Sequence, residues 1–140
     1  MSRENVEFVL RAFEVWQSGR LEEFTPLVAE DVRWDISGHP LPDFPDTGQG
    51  RDVFMRHLGG YAAGWLDYRT ERIEEVDRGD DVISVIHEWA RMRGTDMEIE
   101  RDIAIVWTVD GRRLTMFRAF KTLEDALAAT AEPPPAEATA

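Results

Sequence analysis

The 140-residue chain contains no cysteine and no long apolar run. Without cysteine, disulfides, thiolate nucleophiles and cysteine-ligated metals are excluded. No apolar run approaches the ~20 residues that cross a bilayer, and residues 1–20 lack the uninterrupted apolar core of a signal peptide. The sequence therefore predicts a cytoplasmic protein with no membrane partner.

Basic residues are scarce as well. Lys and Arg number 16 against 28 Asp and Glu, which gives a formal net charge of −12 and disfavours nucleic acid as a partner. His39, His57 and His87 are far apart in the sequence, so no metal site is indicated. A phosphate loop is not indicated either, because Gly48-Gln49-Gly50 neither follows a predicted strand nor carries a lysine. We therefore expect no metal and no cofactor.

Apolar residues make up 43% of the chain, which is enough for one domain with a single core. We assign residues 1–130 to that domain and expect the Ala-, Pro- and Glu-rich residues 131–140 to be a disordered tail. Helical spacing of apolar side chains predicts helices over 2–18, 21–28, 52–66 and 123–129, with Ser2 and Thr122 as caps. A short strand over 32–34 and a long loop over 35–50 separate the second and third helices, and such loops often form the rim of a site.

Residues 101–120 predict a long β-hairpin with Asp110 and Gly111 as its turn. Counting from that turn fixes which side chains share a face. The facing pairs are Trp107 with Leu114, Ile105 with Met116, Ile103 with Arg118, and Arg101 with Phe120. One face of the hairpin therefore carries two arginines among apolar side chains.

A strand over 82–92 extends the same sheet through a tight turn around Gly94-Thr95. Its register pairs Glu88 with Arg101 and places Glu88 on the face with the two arginines, whereas a three-residue turn would move it to the opposite face. A more polar strand over 68–76 precedes it. Helices followed by a meander of long strands indicate an α+β fold.

Four short motifs accompany this order of elements. They are Gly19-Arg20-Leu21-Glu22, Ala29-Glu30-Asp31-Val32 leading to Trp34, Val106-Trp107-Thr108-Val109-Asp110-Gly111, and Thr122-Leu123-Glu124-Asp125-Ala126-Leu127. Over about residues 3–130 the chain thereby resembles the SnoaL-like branch of the nuclear-transport-factor-2-like superfamily. Because these motifs are structural, they support a fold more strongly than a reaction.

The resemblance implies a curved antiparallel β-sheet that three to four helices wrap into a cone with an internal pocket. It also implies a homodimer through the outer sheet face, where Trp89, Val106 and Phe117 would form an exposed apolar patch. Members of the superfamily include isomerases, polyketide cyclases, dehydratases, epoxide hydrolases and non-catalytic binding proteins.

Glu88, Arg101 and Arg118 fall on the face that would line this pocket. Because buried charges are costly unless paired, the trio is either a ligand site or a structural cross-strand ion pair. In the first interpretation Arg118 or Arg101 binds a substrate oxygen and Glu88 acts as acid or base. The resemblance adds Asp35 and His39, just after the first strand, as further candidate acids or bases.

The sequence departs from the ketosteroid isomerases, since Ile36 and Ile105 stand near the positions of their two key carboxylates. Aromatic residues at these spacings, like His57, are either pocket lining or ordinary core. The candidate ligand-contact residues are Trp34, Phe44, His57, Trp65, Arg101, Ile103, Ile105, Met116 and Phe120. His87, counted opposite Asp102, is assigned a structural role.

Two classes of function remain open. One is a cofactor-independent cyclase, isomerase, dehydratase or hydrolase that acts on a hydrophobic, polyketide- or terpenoid-like molecule by acid-base catalysis. The other is a non-catalytic protein that binds a hydrophobic small molecule in the same cone. A titratable group with a shifted pKa that faces the cavity favours the enzyme.

Overall fold

Helices form where apolar side chains recur at helical spacing. The computed structural model of the protein describes residues 2–41, 44–94 and 97–130. Its helices are α1 (Ser2–Gln17), α2 (Leu21–Phe24), which continues as a 3-10 helix (Thr25–Leu27), α3 (Arg51–Ala63) and α4 (Leu123–Ala128). As predicted, Thr122 caps α4, since its side chain accepts a hydrogen bond from the Asp125 backbone N–H. Within the described ranges, no helix is long and apolar enough to cross a membrane.

The strands form one six-stranded mixed sheet with the order β2-β1-β6-β5-β4-β3. They are β1 (Val28–Gly38), β2 (Thr47–Gln49), β3 (Trp65–Arg78), β4 (Asp81–Met92), β5 (Glu98–Asp110) and β6 (Arg113–Phe120). β1 runs parallel to β6, whereas the other neighbours are antiparallel. Register shifts in three of these pairings bend the sheet. The predicted α+β cone is confirmed, with the parallel pair as an addition.

The two faces of the sheet carry separate cores. Helices α1, α2 and α3 cover the inner face, whose core includes Ile86, Ile103 and Trp107. Helix α4 covers part of the outer face, where its Ala126 packs in one cluster with Val106. Alternate residues of β4 and β5 therefore serve different cores.

The predicted register between β4 and β5 is confirmed. Glu88 pairs with Arg101, and the register is continuous from Asp81 to Arg91. Because side chains alternate strictly along such a pair, counting from the turn was sufficient to predict which residues share a face. Glu88 and Arg101 share the inner face.

The predicted turn between β5 and β6 is wrong by one residue. Gly111 and Arg112 form the turn, with φ of 59° and 62°, and Asp110 pairs with Arg113. Positive φ at both central residues belongs to the type I′ turn, whose twist matches that of the strands it joins.

A bulge at Thr115 then reverses the faces along the rest of β6. Val109 pairs with Leu114 but Thr108 pairs with Met116, so Thr115 has no partner in this register. As a result Trp107 lies opposite Phe117, not Leu114. The residues moved to the outer face are Met116, Arg118 and Phe120.

The boundaries of α3 and β1 also differ from prediction. Helix α3 ends at Ala63 with Gly64 as its C-cap, and Trp65 begins β3 opposite Met92, where the sequence predicted helix. Glycines at 59, 60 and 64 weaken the end of that helix. Strand β1 continues to Gly38 and pairs with β2, so much of the predicted 35–50 loop is sheet.

The predicted apolar patch on the outer face is wrong. Val106 is fully buried in the core beneath α4, and Phe117 faces the inner core. Trp89 remains half-buried on the outer face. The predicted tail at 131–140 lies outside the described residues.

Candidate functional site

The polar centre of the inner face is the carboxylate of Glu88, which is 2% exposed. Its Oε1 accepts a hydrogen bond from Arg101 Nε at 2.9 Å. Its Oε2 accepts one from the Tyr61 hydroxyl at 3.3 Å and another from the Tyr68 hydroxyl. Arg101 Nη2 also donates to the Tyr61 hydroxyl, at 3.0 Å. We call these four side chains, contributed by α3, β3, β4 and β5, the Glu88 network.

A bulge in β3 brings Tyr68 into this network. Counting back from the pair of Arg78 with Asp81 would place Tyr68 opposite Arg91, on the outer face. Ile73 is skipped in the register, which moves Tyr68 opposite Ala90 and onto the inner face.

Electrostatics keep both phenols protonated. Burial raises the pKa of Tyr61 and of Tyr68, and the negative charge of Glu88 raises each pKa further. For Tyr61, the Arg101 guanidinium acts in the opposite direction without reversing the shift. At neutral pH the two tyrosines are therefore hydrogen-bond donors.

An apolar cavity of about 50 Å³ borders the network. Glu88, Tyr61 and Tyr68 form the polar part of its wall. The rest of the wall consists of Phe13, Trp16, Phe24, Leu41, Phe54, Leu58, Ile86, Ile103, Ile105, Trp107 and Phe117. Within the described part of the chain, the buried indole N–H of Trp107 has no hydrogen-bond partner. An apolar cavity with a few convergent polar groups is the usual form of a small-molecule site.

His39 is the second titratable group in this region and is 9% exposed. Burial lowers the pKa of its imidazole, and the nearby Arg101 lowers it further, whereas Glu88 and a hydrogen bond with the Asp102 backbone act in the opposite direction. The imidazole is therefore neutral near pH 7 and able to accept a proton. The structure brings His39 within electrostatic range of Glu88, while a catalytic role stays a prediction.

Arg118 lies on the outer face, contrary to prediction. Its Nη1 donates to the Ala129 carbonyl at 3.2 Å and its Nη2 to Asp81 Oδ2 at 3.3 Å. Arg78 donates in the same way to the carbonyls of Leu127 and Thr130. Cationic side chains satisfy the free carbonyls at a helix C-terminus. Arg118 therefore anchors α4 and does not line the cavity.

Met116 and Phe120 were also predicted to line the pocket, and the same Thr115 bulge turns them away. Met116 lies opposite Thr108, and Phe120 packs against the core beneath α4. Ile103 and Ile105, in contrast, line the cavity as predicted.

Asp35 is directed away from the cavity because its neighbours Trp34 and Ile36 occupy the inner face of β1. Its Oδ1 accepts hydrogen bonds from the backbone N–H of Ser37 at 3.0 Å and from the Ser37 hydroxyl at 2.6 Å. These bonds lower the pKa of Asp35. The arrangement is a local turn contact, and it does not bring Asp35, a candidate acid or base, to the cavity wall.

Trp34, Phe44 and His57 form an aromatic cluster beside the cavity instead of lining it. The ring centroids of Phe44 lie 6.0 Å from those of Trp34 and 5.6 Å from those of His57. Phe54 packs against the cluster and is the residue that reaches the cavity wall. Trp65 likewise lies outside the wall, with its ring 5.7 Å from that of Tyr61.

The sequence did not identify Tyr61, Tyr68 and Trp16 as site residues. Tyr61 carried a usable signal, because a tyrosine on the apolar face of a helix needs a buried hydrogen-bond partner. Tyr68 carried none, since its position depends on the bulge at Ile73.

Fold and site together define an α+β protein with an internal apolar cavity and a polar network on its wall. A family model described as a SnoaL-like domain matches residues 9–117. The chain therefore belongs to the SnoaL-like domain family, which confirms the resemblance drawn from the sequence. No curated protein matches the chain significantly.

Solved structures share this fold at low sequence identity. An NTF2-like protein from Burkholderia xenovorans LB400 is 24% identical with a TM-score of 0.71, over 94% of this chain and 98% of that one. A putative SnoaL-like polyketide cyclase from Jannaschia sp. CCS1 is 16% identical with a TM-score of 0.73, over 95% of each chain. An LEH-like epoxide hydrolase from M. tuberculosis is 14% identical with a TM-score of 0.69, over 89% of this chain and 86% of that one. These likenesses establish the fold.

We predict that Glu88→Gln destabilises the protein by about 3 kcal/mol, the scale for breaking a buried ion pair, because it leaves the Arg101 guanidinium without a counter-charge. Urea unfolding measures the loss. The control is Glu98→Gln, which breaks an exposed pair of the same two strands, with Arg91, and is expected to cost below ~0.5 kcal/mol. Equal losses in the two variants would mean that Glu88 is solvated.

Proposed function

We propose that the protein is a cofactor-independent enzyme that acts on an apolar small molecule by acid-base catalysis, with Glu88 as the group that moves the proton. The observation that carries this proposal is a buried carboxylate on the wall of an aromatic cavity, bonded to two tyrosines and one arginine. A structural ion pair needs one partner, whereas this carboxylate is surrounded by donors that also suit a substrate oxygen.

The network divides into two chemical roles. With a carbonyl substrate, Glu88 accepts a proton from carbon and returns it later in the reaction. With an epoxide, Glu88 accepts the proton of a water molecule as the water oxygen bonds to carbon and the ring C–O bond breaks, and the proton passes to the released oxygen. No oxidant or reductant is required in either case. Tyr61 donates a hydrogen bond to the substrate oxygen on which negative charge develops. Arg101 does not line the cavity and positions Glu88 and Tyr61 through its hydrogen bonds to both. Tyr61 suits this role because its raised pKa keeps the phenol protonated. His39 is the candidate second proton acceptor.

The nature of the cavity indicates the class of substrate. Its wall is largely aromatic, which suits a polyketide- or terpenoid-like molecule with a carbonyl or epoxide oxygen. The unpartnered indole N–H of Trp107 is a further donor for such an oxygen. Cyclases and hydrolases among the solved structures that share the fold are consistent with this class.

A non-catalytic ligand-binding protein is the second candidate. It is favoured by the satisfied state of Glu88, whose three hydrogen bonds use most of its acceptor capacity. The two candidates differ in turnover, because both require the same apolar ligand.

We predict that turnover of a panel of small polyketide, terpenoid and epoxide substrates falls at least about a hundredfold in Glu88→Gln and in Tyr61→Phe, because each variant removes a group that acts in the transition state. Steady-state kinetics measure the effect, and Arg118→Met is the control because Arg118 contacts α4 and not the cavity. Full turnover by Glu88→Gln would contradict the proposal. Ligand binding by the wild type without turnover would favour the non-catalytic ligand-binding protein.

We further propose that the chain forms a two-fold homodimer through the part of the outer face that α4 leaves uncovered. Trp89 lies there, with the Arg69 guanidinium 5.6 Å from its ring centroid. His87 contacts Asp102 and Glu100 on the adjacent strand, and these contacts raise the pKa of the imidazole. Side chains of both signs on one face suit a self-complementary two-fold contact.

Light scattering at micromolar protein is predicted to give twice the 16.1 kDa mass of the chain. Trp89→Asp should reduce the mass to that of a monomer, because it removes the aromatic ring from the contact and adds a carboxylate opposite Glu100. A monomeric mass of the wild type would contradict the dimer.

A further inference from the structure

The cavity is too small for a ligand, so a ligand must widen it. Its volume of about 50 Å³ is well below the roughly 300 Å³ at which small-molecule pockets begin. A substrate of the proposed class therefore enters only when some part of the wall moves. The side chains that separate the cavity from solvent determine by which route a ligand enters and which ligands are bound.

Where the cavity wall faces β1, several rings pack against one another. Phe54 on the cavity wall packs against Trp34 at 5.6 Å and against Phe44 at 6.2 Å between ring centroids. All three side chains are at most 5% exposed. Opening this side would disrupt a continuous part of the core.

Another part of the wall contains a pair of partly exposed rings, Trp16 from α1 and Tyr68 from β3. Both line the cavity, and both also line an open groove of about 710 Å³ between the end of α1 and β3. Their rings meet edge to face, with centroids 6.2 Å apart at 81°, and both side chains are partly exposed. Rotation of two half-buried side chains therefore joins the groove to the cavity.

This opening also changes the Glu88 network. The Tyr68 hydroxyl donates to Oε2 of Glu88, so a Tyr68 that swings outward removes a donor from a buried carboxylate. An acceptor left without its donor in a buried site is costly unless another donor replaces it. A ligand with a hydroxyl group can supply that donor, whereas its methyl ether cannot.

We propose that Trp16 and Tyr68 form the entrance to the cavity, and that an entering ligand replaces the Tyr68 hydroxyl on Glu88, so that the protein selects apolar aromatic molecules that carry a hydroxyl group. The proposal rests on the proposed role of the Glu88 network as the ligand site. It assigns Tyr68 a part in selection and Trp16 a part in access, neither of which requires a chemical step.

The test uses 2-naphthol and 2-methoxynaphthalene as probes and follows their binding by fluorescence at equilibrium and in stopped flow. For the wild type, 2-naphthol is expected to bind about tenfold more tightly, the value of one hydrogen bond to a buried acceptor. Tyr68→Phe should tighten both probes by about tenfold and keep the preference, because neither probe then has to break the bond between Tyr68 and Glu88. Loss of affinity for both probes in Tyr68→Phe would contradict the replacement of the Tyr68 hydroxyl by the ligand hydroxyl on Glu88.

Access is tested by a matched pair of truncations, one of a ring between the cavity and the groove and one of a ring in the packed aromatic cluster. Trp16→Ala is expected to raise the association rate of 2-naphthol about tenfold, whereas Phe44→Ala leaves it within about twofold. A larger rate increase in Phe44→Ala than in Trp16→Ala would contradict the proposed entrance. Absence of 2-naphthol binding by both the wild type and Trp16→Ala would contradict it as well. Tyr68→Phe, which keeps its ring, decides the proposal if either truncation fails to fold.

These measurements need no turnover, so they separate the entrance from the proposed reaction. A rate increase in Trp16→Ala together with full turnover by Glu88→Gln would keep the entrance and remove the acid-base role. Loss of turnover in Glu88→Gln with no change in the association rate of Trp16→Ala would keep the acid-base role and remove the entrance.

Discussion

The hydrogen bonds around the Glu88 carboxylate are the constraint on which the rest of the inner face depends. A buried carboxylate is tolerated when it is paired and hydrogen-bonded. Arg101 supplies the positive charge but only one of the three hydrogen-bond donors described. The others come from Tyr61 on α3 and Tyr68 on β3. The hydrogen bonds to this one charge therefore fix the positions of a helix and two strands relative to β4. The same groups form the polar part of an otherwise apolar cavity wall.

The parts of the fold that could be predicted from the sequence are those in which strands and helices are regular. Between β4 and β5 the register is continuous, so the pairing of Glu88 with Arg101 was accessible by counting. The helices and the α+β class were accessible for a similar reason, because their periodicity is strong. The structure also agrees with the fold that the family resemblance implied.

The errors arose at bulges and turns, where one residue changes the face of all that follow. The bulge at Thr115 carried Arg118 from the predicted pocket to the end of α4. The bulge at Ile73 brought Tyr68 into the pocket from a strand that the sequence left without a role. A bulge depends on tertiary packing more than on local composition, so neither was visible in the chain. The candidate site was therefore half predictable, with Glu88 and Arg101 found and the tyrosines missed.

The central claim is that the Glu88 network is the point at which a ligand is bound, and the most direct measurement is a crystal structure with 2-naphthol. We expect the naphthalene rings against Trp107 and Phe117, with the hydroxyl within about 3 Å of Glu88 Oε2. Tyr68 would be turned toward the groove. A ligand beside Trp34 and Phe44, or one in the groove with the bond between Tyr68 and Glu88 intact, would contradict the claim.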